Sequence, residues 1–230
     1  MTIARKLLLV TAAVMGVAVG CGASGHPDQG QGGDGGSPDA TGPGNDSGPH
    51  SGITCPSPGS YKQSGGKCGT ERWDIKTGTD PYTGKVSLVP VETKIATLAA
   101  LPANGGGASR ESPTETTLYV LKDVTLTELK LESDIDYHLV LSDGTATMIA
   151  EIPYPTCTTG SPWACFMARA RGEIDSMFSV TTSPQNPAAT VTVVGVGFFD
   201  ILHGQTGVAP NAIELHPVLQ ICFGKGCTPS

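Results

Sequence analysis

Residues 188–221, AATVTVVGVGFFDILHGQTGVAPNAIELHPVLQI, decide the fold. Thr190–Phe199 is almost continuously apolar and rich in β-branched and aromatic residues, the composition of a strand covered on both faces. Gly195 and Gly197 stand at alternate positions and share a face, where glycine marks a sharp bend or the close approach of another backbone. Ile213–Ile221 alternates, with Ile213, Leu215, Leu219 and Ile221 on one face and Glu214, His216, Val218 and Gln220 on the other. Pro217 cannot donate to a ladder and points to an edge or a bulge. The two segments read as the last strands of a small closed barrel, whose corners need such bends. Residues 203–211 between them are rich in Gly, Pro and Asn and form a loop. Its polar side chains either contact a partner or satisfy their own backbone.

Working back from that pair, Thr117–Leu131 reads as one long strand with a break near Lys122-Asp123. Asp136–Leu141 alternates with Tyr137, Leu139 and Leu141 inward, and residues 142–145 are a turn. Thr147–Ile152 is a further strand, stopped by Pro153 and Pro155. A helix follows: Ser161 suits the N-cap and Pro162 the first helical position. Phe166, Ala170, Ile174 and Phe178 recur at helical spacing, with Arg169, Arg171, Glu173 and Asp175 on the opposite side. Three strands, a helix and two strands is the element order of an OB-fold, a five-stranded barrel with its helix between strands three and four. A generic α+β sheet shares that order. The predicted class is mainly β and OB-fold-like, with an N-terminal extension. In that extension Thr70–Pro90 holds short strand-like pieces broken by turns, and Glu92–Leu101 predicts a short helix with Ile95, Leu98 and Leu101 on one face. Gly84-Lys85 lacks the spacing and the hydroxyl residue of a phosphate loop.

The first residues describe a location. Arg5 and Lys6 precede an apolar run, Leu7–Val19, too short to span a bilayer stably, so residues 1–20 predict a signal peptide. Ala18-Val19-Gly20-Cys21 resembles a bacterial lipobox, which implies that Cys21 carries a lipid and begins the mature chain. An ordinary secretory signal is the alternative. Gly22 after the cysteine implies outer-membrane or cell-surface sorting. Residues 21–54 are mostly Gly, Ser, Pro, Asp, Asn and Gln; they cannot bury a core and predict a flexible tether. Residues 55–230 then form one domain.

Residues 70–230 contain ten Lys or Arg and seventeen Asp or Glu, a net charge of 10 − 17 = −7. Such a surface repels phosphate backbones and argues against nucleic acid as the main partner. Beyond Cys21, the six cysteines fall in close pairs: Cys55/Cys68, Cys157/Cys165 and Cys222/Cys227. An exported chain with an even set implies disulfides, and local pairing is one of fifteen connectivities. No CxxC spacing occurs, which weighs against zinc at the cysteines.

A set of segments, Lys76-Thr-Gly-Thr-Asp80, Asp136-Tyr-His-Leu-Val-Leu141, Thr147-Met-Ile-Ala-Glu-Ile-Pro153, Gly195-Val-Gly-Phe-Phe-Asp200, His203-Gly-Gln-Thr-Gly207, Ala209-Pro-Asn211 and Ile213-Glu-Leu-His-Pro-Val218, resembles an uncharacterised family of bacterial secreted or lipoprotein domains. The resemblance implies no activity and no catalytic residue. From the residues themselves, the expected function is a surface-tethered binding module, anchored to membrane by lipid, whose ligand is a peptide or a saccharide. The expected contact residues are Asp136, His138, Asp200, His203, Gln205, Asn211, Glu214 and His216. A metal-dependent hydrolase using the His, Asp and Glu residues near 200–216 is a second reading, and a structural envelope protein a third. No GxSxG, HExxH or free-thiol pattern is present, and no cofactor is implied.

Overall fold

A computed structural model describes residues 54–56 and 66–229. The predicted signal peptide, Cys21, and all but the last residue of the 21–54 tether lie outside these residues. Six strands form: β1 (Ser87–Thr93), β2 (Thr117–Leu131), β3 (Tyr137–Ser142), β4 (Thr147–Ile152), β5 (Ala189–Phe199) and β6 (Ile213–Phe223). Their order in the sheet is β1-β2-β3-β4-β6-β5, and β2 also pairs with β5, which closes β2 to β6 into a five-stranded barrel. β4 and β6 run parallel, with Ile149 opposite Glu214. The helices are α1 (Trp73–Thr77), α2 (Ile95–Ala99) and α3 (Ala164–Met177), the last between the third and fourth barrel strands. This is the OB-like arrangement expected from the element order.

The sequence signals for closure act as expected. Asp123 adopts φ 53°, and the pairing of β2 with β5 shifts register between Leu121 and Val124. The pairing with β5 runs across that break, from Leu118 to Leu126, while β3 pairs only beyond it, from Thr125 to Leu131. At Gly195 an added Cβ would lie 2.9 Å from the Cβ of Leu215, and at Gly197 2.5 Å from the carbonyl oxygen of Thr114. Both glycines therefore permit close backbone approach, and the β5–β6 register shifts around them. Pro217 sits at the irregularity, and it changes the phase of β6. Ile213 and Leu215 face the main core as expected; beyond the bulge Val218 joins that core and Leu219 packs with Trp163 and Met167 outside it, and a second register shift returns Ile221 to the core as expected.

The barrel interior holds Leu121, Leu126, Leu139, Leu141, Met148, Ala150, Val193, Leu215 and their neighbours, and α3 adds Ala170 and Ile174 to it. Arg171, expected on the open side of α3, is instead 1% exposed. Its guanidinium lies 3.5 Å from the centre of the Tyr137 ring and donates to the carbonyl of Ile152 at 3.1 Å. An arginine stem and two ring faces replace water there. α3 begins at Ala164; Ser161 caps the preceding turn by accepting the N–H of Trp163 at 3.1 Å.

Three further expectations are corrected. Within Thr70–Pro90, expected as strand-like pieces, residues 73–77 are instead helical, and the chain extends only from Ser87, as β1, parallel to the start of β2 and outside the barrel. The Glu92–Leu101 helix shortens to α2, because Glu92 and Thr93 join that strand; Ile95 and Leu98 keep their core positions. The disulfides are Cys55–Cys165, Cys68–Cys157 and Cys222–Cys227, so only the last is a local pair. Cys55 and Cys68 meet the start of α3 and the 3-10 turn before it, which fastens the N-terminal segment across the fold. Their separations of 110 and 89 residues make these long-loop bridges, the kind that most restricts the unfolded chain. Such bridges are consistent with an extracellular protein. Among the described residues, no helix is long and apolar enough to cross a membrane.

Candidate functional site

With Tyr137, Leu139 and Leu141 inside the barrel, strand alternation turns Asp136 and His138 outward. The same logic turns Glu151 outward on β4 and Glu214 and His216 outward on β6. Pairing places His138 opposite Glu151 and Phe198 opposite Glu214, so a polar row crosses three neighbouring strands and ends against an aromatic ring. This row was expected to meet solvent. It does not: Asp136 and His216 are 0% exposed, His138 1% and Glu214 2%. The N-terminal segment covers the row through α1. Arg72 and Lys76 lie over the Phe198 ring, 4.5 and 5.3 Å from its centre, and Phe198 in turn packs on His216.

Contacts within the row are dense. His138 Nδ1 lies 2.9 Å from Glu151 Oε1 and 3.4 Å from Glu132 Oε1. His216 Nδ1 lies 3.1 Å from Glu214 Oε1 and 3.2 Å from Glu151 Oε2. His216 Nε2 faces Asp136 Oδ2 at 3.5 Å, and Asp136 Oδ1 accepts the backbone N–H of Tyr154 at 3.2 Å. Lys76 Nζ reaches Asp200 at 3.5 Å. Glu151 and Lys76 were not among the expected site residues. The signal for Glu151 was available, as one carboxylate inside the apolar run of β4. Lys76 comes from a segment whose position no local pattern reveals.

Burial and mutual charge divide the titrations of this row. Burial pushes the Asp136 carboxyl up to about 6, against the opposing pull of His216. Burial and the neighbouring charge of Glu151 push Glu214 up to about 7. Burial opposes charge on Glu151 too, but hydrogen bonds from His138 and His216 outweigh it and hold that carboxyl well below its usual range. Burial likewise opposes the charged form of His216, yet its contacts with Asp136, Glu151 and Glu214 raise it well above an ordinary imidazole. His138 is raised by Glu151 against the same opposition. Lys76 is raised because Glu214, Glu151, Asp200 and Asp136 together outweigh its burial. The row is a set of carboxylates competing for few positive charges.

Beside the row a cleft of about 370 Å³ opens to solvent. The β2–β3 loop supplies Ser133 and Asp134, and the β5–β6 loop supplies Asp200 and His203. The N-terminal segment supplies Lys67, Thr70, Glu71, Trp73 and Lys76. Non-glycine residues with positive φ occur on all three segments: Ile135 (66°), Ala212 (59°) and Arg72 (46°). For β-branched Ile135 this is a true outlier, and such strain concentrates where a loop is held in one functional shape.

The remaining expected residues divide. His203 is exposed at the cleft, and Gln205 bonds its ring nitrogen at 2.7 Å and the carbonyl of Ile201 at 3.1 Å. Asn211 is a structural residue: it is 5% exposed and donates to the carbonyls of Leu98 and Leu101 at 2.9 and 3.0 Å, ending α2. Asp200 bridges the two parts of the site, lining the cleft and pairing with Lys76.

The fold and site define an OB-like barrel whose polar outer row is covered and whose two flanking loops frame a cleft. No family model matches the chain, and no curated protein matches it. Among solved structures, one from Leishmania major Friedlin, assigned as an aspartyl-tRNA synthetase, is similar at 15% identity and a TM-score of 0.36, over 62% of this chain and 22% of that one. At that score the likeness carries no argument, and the chain spans under a quarter of that structure's length.

Proposed function

We propose that this chain is an exported binding module, tethered to the outer membrane or cell surface through Cys21, that takes a small polar ligand in the cleft between residues 133–134 and 200–203. One observation carries the reading: the β2–β3 and β5–β6 loops of the barrel both line the cleft. They correspond to the loops through which OB barrels commonly bind oligosaccharides and other ligands. The lining supports a saccharide or a short peptide. Asp134, Asp200 and Lys76 offer charge-assisted hydrogen bonds, Thr70 and Ser133 offer hydroxyls, and Trp73 offers a ring. The chain's net charge of −7 disfavours nucleic acid.

The test is calorimetric titration of the full chain with oligosaccharide and peptide sets, repeated with Asp134→Asn and His203→Ala. Neither side chain is in the buried row, so unfolding midpoints should stay near wild type. Affinity for the ligand found should fall about 10-fold or more, the loss of a hydrogen bond to a charged group. Variants that bind as wild type does, or a wild-type chain that binds neither ligand class, would contradict the proposal.

A further inference from the structure

The geometry points to a divalent transition-metal site of the zinc, iron or manganese class at Asp136, Glu151 and His216, beneath α1 and separate from the open cleft. One donor atom from each of the three residues lies within 4.8 Å of the other two. Asp136 Oδ2 and His216 Nε2 have no hydrogen-bond partner, although both side chains are 0% exposed. They face one another at 3.5 Å. Metal bonds of about 2.0–2.2 Å to imidazole and carboxylate put neighbouring donors of a tetrahedral shell about 3.4 Å apart.

The surroundings are those a metal centre needs. Glu214 Oε1 and Glu151 Oε2 lie 3.1 and 3.2 Å from His216 Nδ1, so Glu214 can hold that ring nitrogen and leave Nε2 as the ligand, while Glu151 turns an oxygen from Nδ1 to the ion. The backbone N–H of Tyr154 fixes the second oxygen of Asp136, and His138 fixes Glu151. The charges also call for a cation. Asp136, Glu151, Glu214 and Asp200 are four carboxylates, each at most 9% exposed. The permanent cations acting on them are Lys76 and, toward Asp136, Arg171, fewer than the carboxylates, and a divalent ion would add to them. One imidazole with two carboxylates suits zinc, iron or manganese better than calcium, which takes oxygen ligands throughout.

Zinc is titrated into the chelator-stripped full chain, followed by calorimetry and by elemental analysis after dialysis. The result expected is about one tightly held zinc per chain, as for a closed site with an ordered second shell. Asp136→Asn should weaken that binding by about 100-fold or more, whereas Glu132→Gln, which alters only the neighbouring Glu132–His138–Glu151 set, should change it less than about 3-fold. If Asp136→Asn does not fold, 15N-labelled wild type decides: zinc should shift the ring nitrogen resonances of His216 and leave those of His203 in place. Absence of stoichiometric zinc, wild-type affinity in Asp136→Asn, loss of binding in Glu132→Gln, or an unmoved His216 would each overturn the assignment.

Discussion

Two buried charged regions meet under the N-terminal segment, and they are built on opposite terms. In the first, Arg110 donates to both oxygens of Asp80, to the carbonyl of Ile75 at 2.9 Å and to that of Glu115 at 3.1 Å. Asp80 also accepts from Thr83 and Tyr82, and both oxygens of Glu115 accept from Arg72, Glu111 and Phe199. Every side-chain polar atom of Asp80, Arg110 and Glu115 has a partner, and the region's unpartnered buried atom is Arg72 Nε at its edge. In the second, around His216, carboxylates outnumber fixed cations; His138 Nε2 has no hydrogen bond, nor have Asp136 Oδ2 and His216 Nε2, which only face each other at 3.5 Å. A saturated network holds shape; an unsaturated one of the same burial is poised to take up a charge. The comparison sets Arg110–Asp80 apart as architecture from Asp136–Glu151–His216, where the metal site is proposed.

The largest effect should come from what holds the cover over both regions. Opening both long-loop bridges, with Cys55, Cys68, Cys157 and Cys165 all replaced by Ser, should cost more than about 5 kcal/mol in urea unfolding, since either bridge alone would leave the other closing most of the same loop. The same change at Cys222 and Cys227, five residues apart, should cost about 2 kcal/mol. Equal costs would mean that the N-terminal segment is not fastened as described. Next, Asp80→Asn leaves Arg110 buried without its counter-ion and should destabilise by about 3–4 kcal/mol. A loss below about 1 kcal/mol would dissolve the distinction between the two regions.

The pH dependence of that pair has a definite sign. Despite its burial, hydrogen bonds and charge from Arg110 hold the Asp80 carboxyl below its ordinary value. Its contribution is therefore present above the unfolded value of about 3.9 and is lost as pH falls from there through the lower folded value. Unfolding free energy measured between pH 5 and 2 should fall less steeply in Asp80→Asn than in wild type; identical slopes would contradict the assignment. The smallest effect belongs to the other region. Glu214 is pushed up to about 7, so near neutrality its carboxyl is already half protonated. Glu214→Gln mimics that form and should change stability by less than about 1 kcal/mol at pH 7. A loss as large as that of Asp80→Asn would show that the full charge on Glu214 is structural.

The barrel was legible because its signals are local. Alternation in β3 and β6, paired glycines in β5, a break at Asp123 and a helix between Pro155 and Pro184 together specify element order. Pro217 announced a bulge, but not that Val218 and Leu219 would exchange faces. The site was half legible. Asp136, His138, Glu214 and His216 stood out as polar residues in apolar strands, and the outward direction of their side chains followed from alternation. That outward meant buried could not be read, since it depends on Cys55 and Cys68 crossing to Cys165 and Cys157 and carrying α1 over the row. The same crossing brings in Lys76. Arg171 was misplaced because helical periodicity sorts residues by face and not by what a neighbouring aromatic pair will accept.

Thermal unfolding of the chelator-stripped full chain with and without zinc, in wild type, Asp80→Asn and Asp136→Asn, tests the contrast between the two regions most directly. Zinc at about 100 times its wild-type dissociation constant should stabilise wild type and Asp80→Asn alike, by about 2.7 kcal/mol, and Asp136→Asn by about 0.4 kcal/mol or less. Equal stabilisation of all three chains, or of none, would contradict the account.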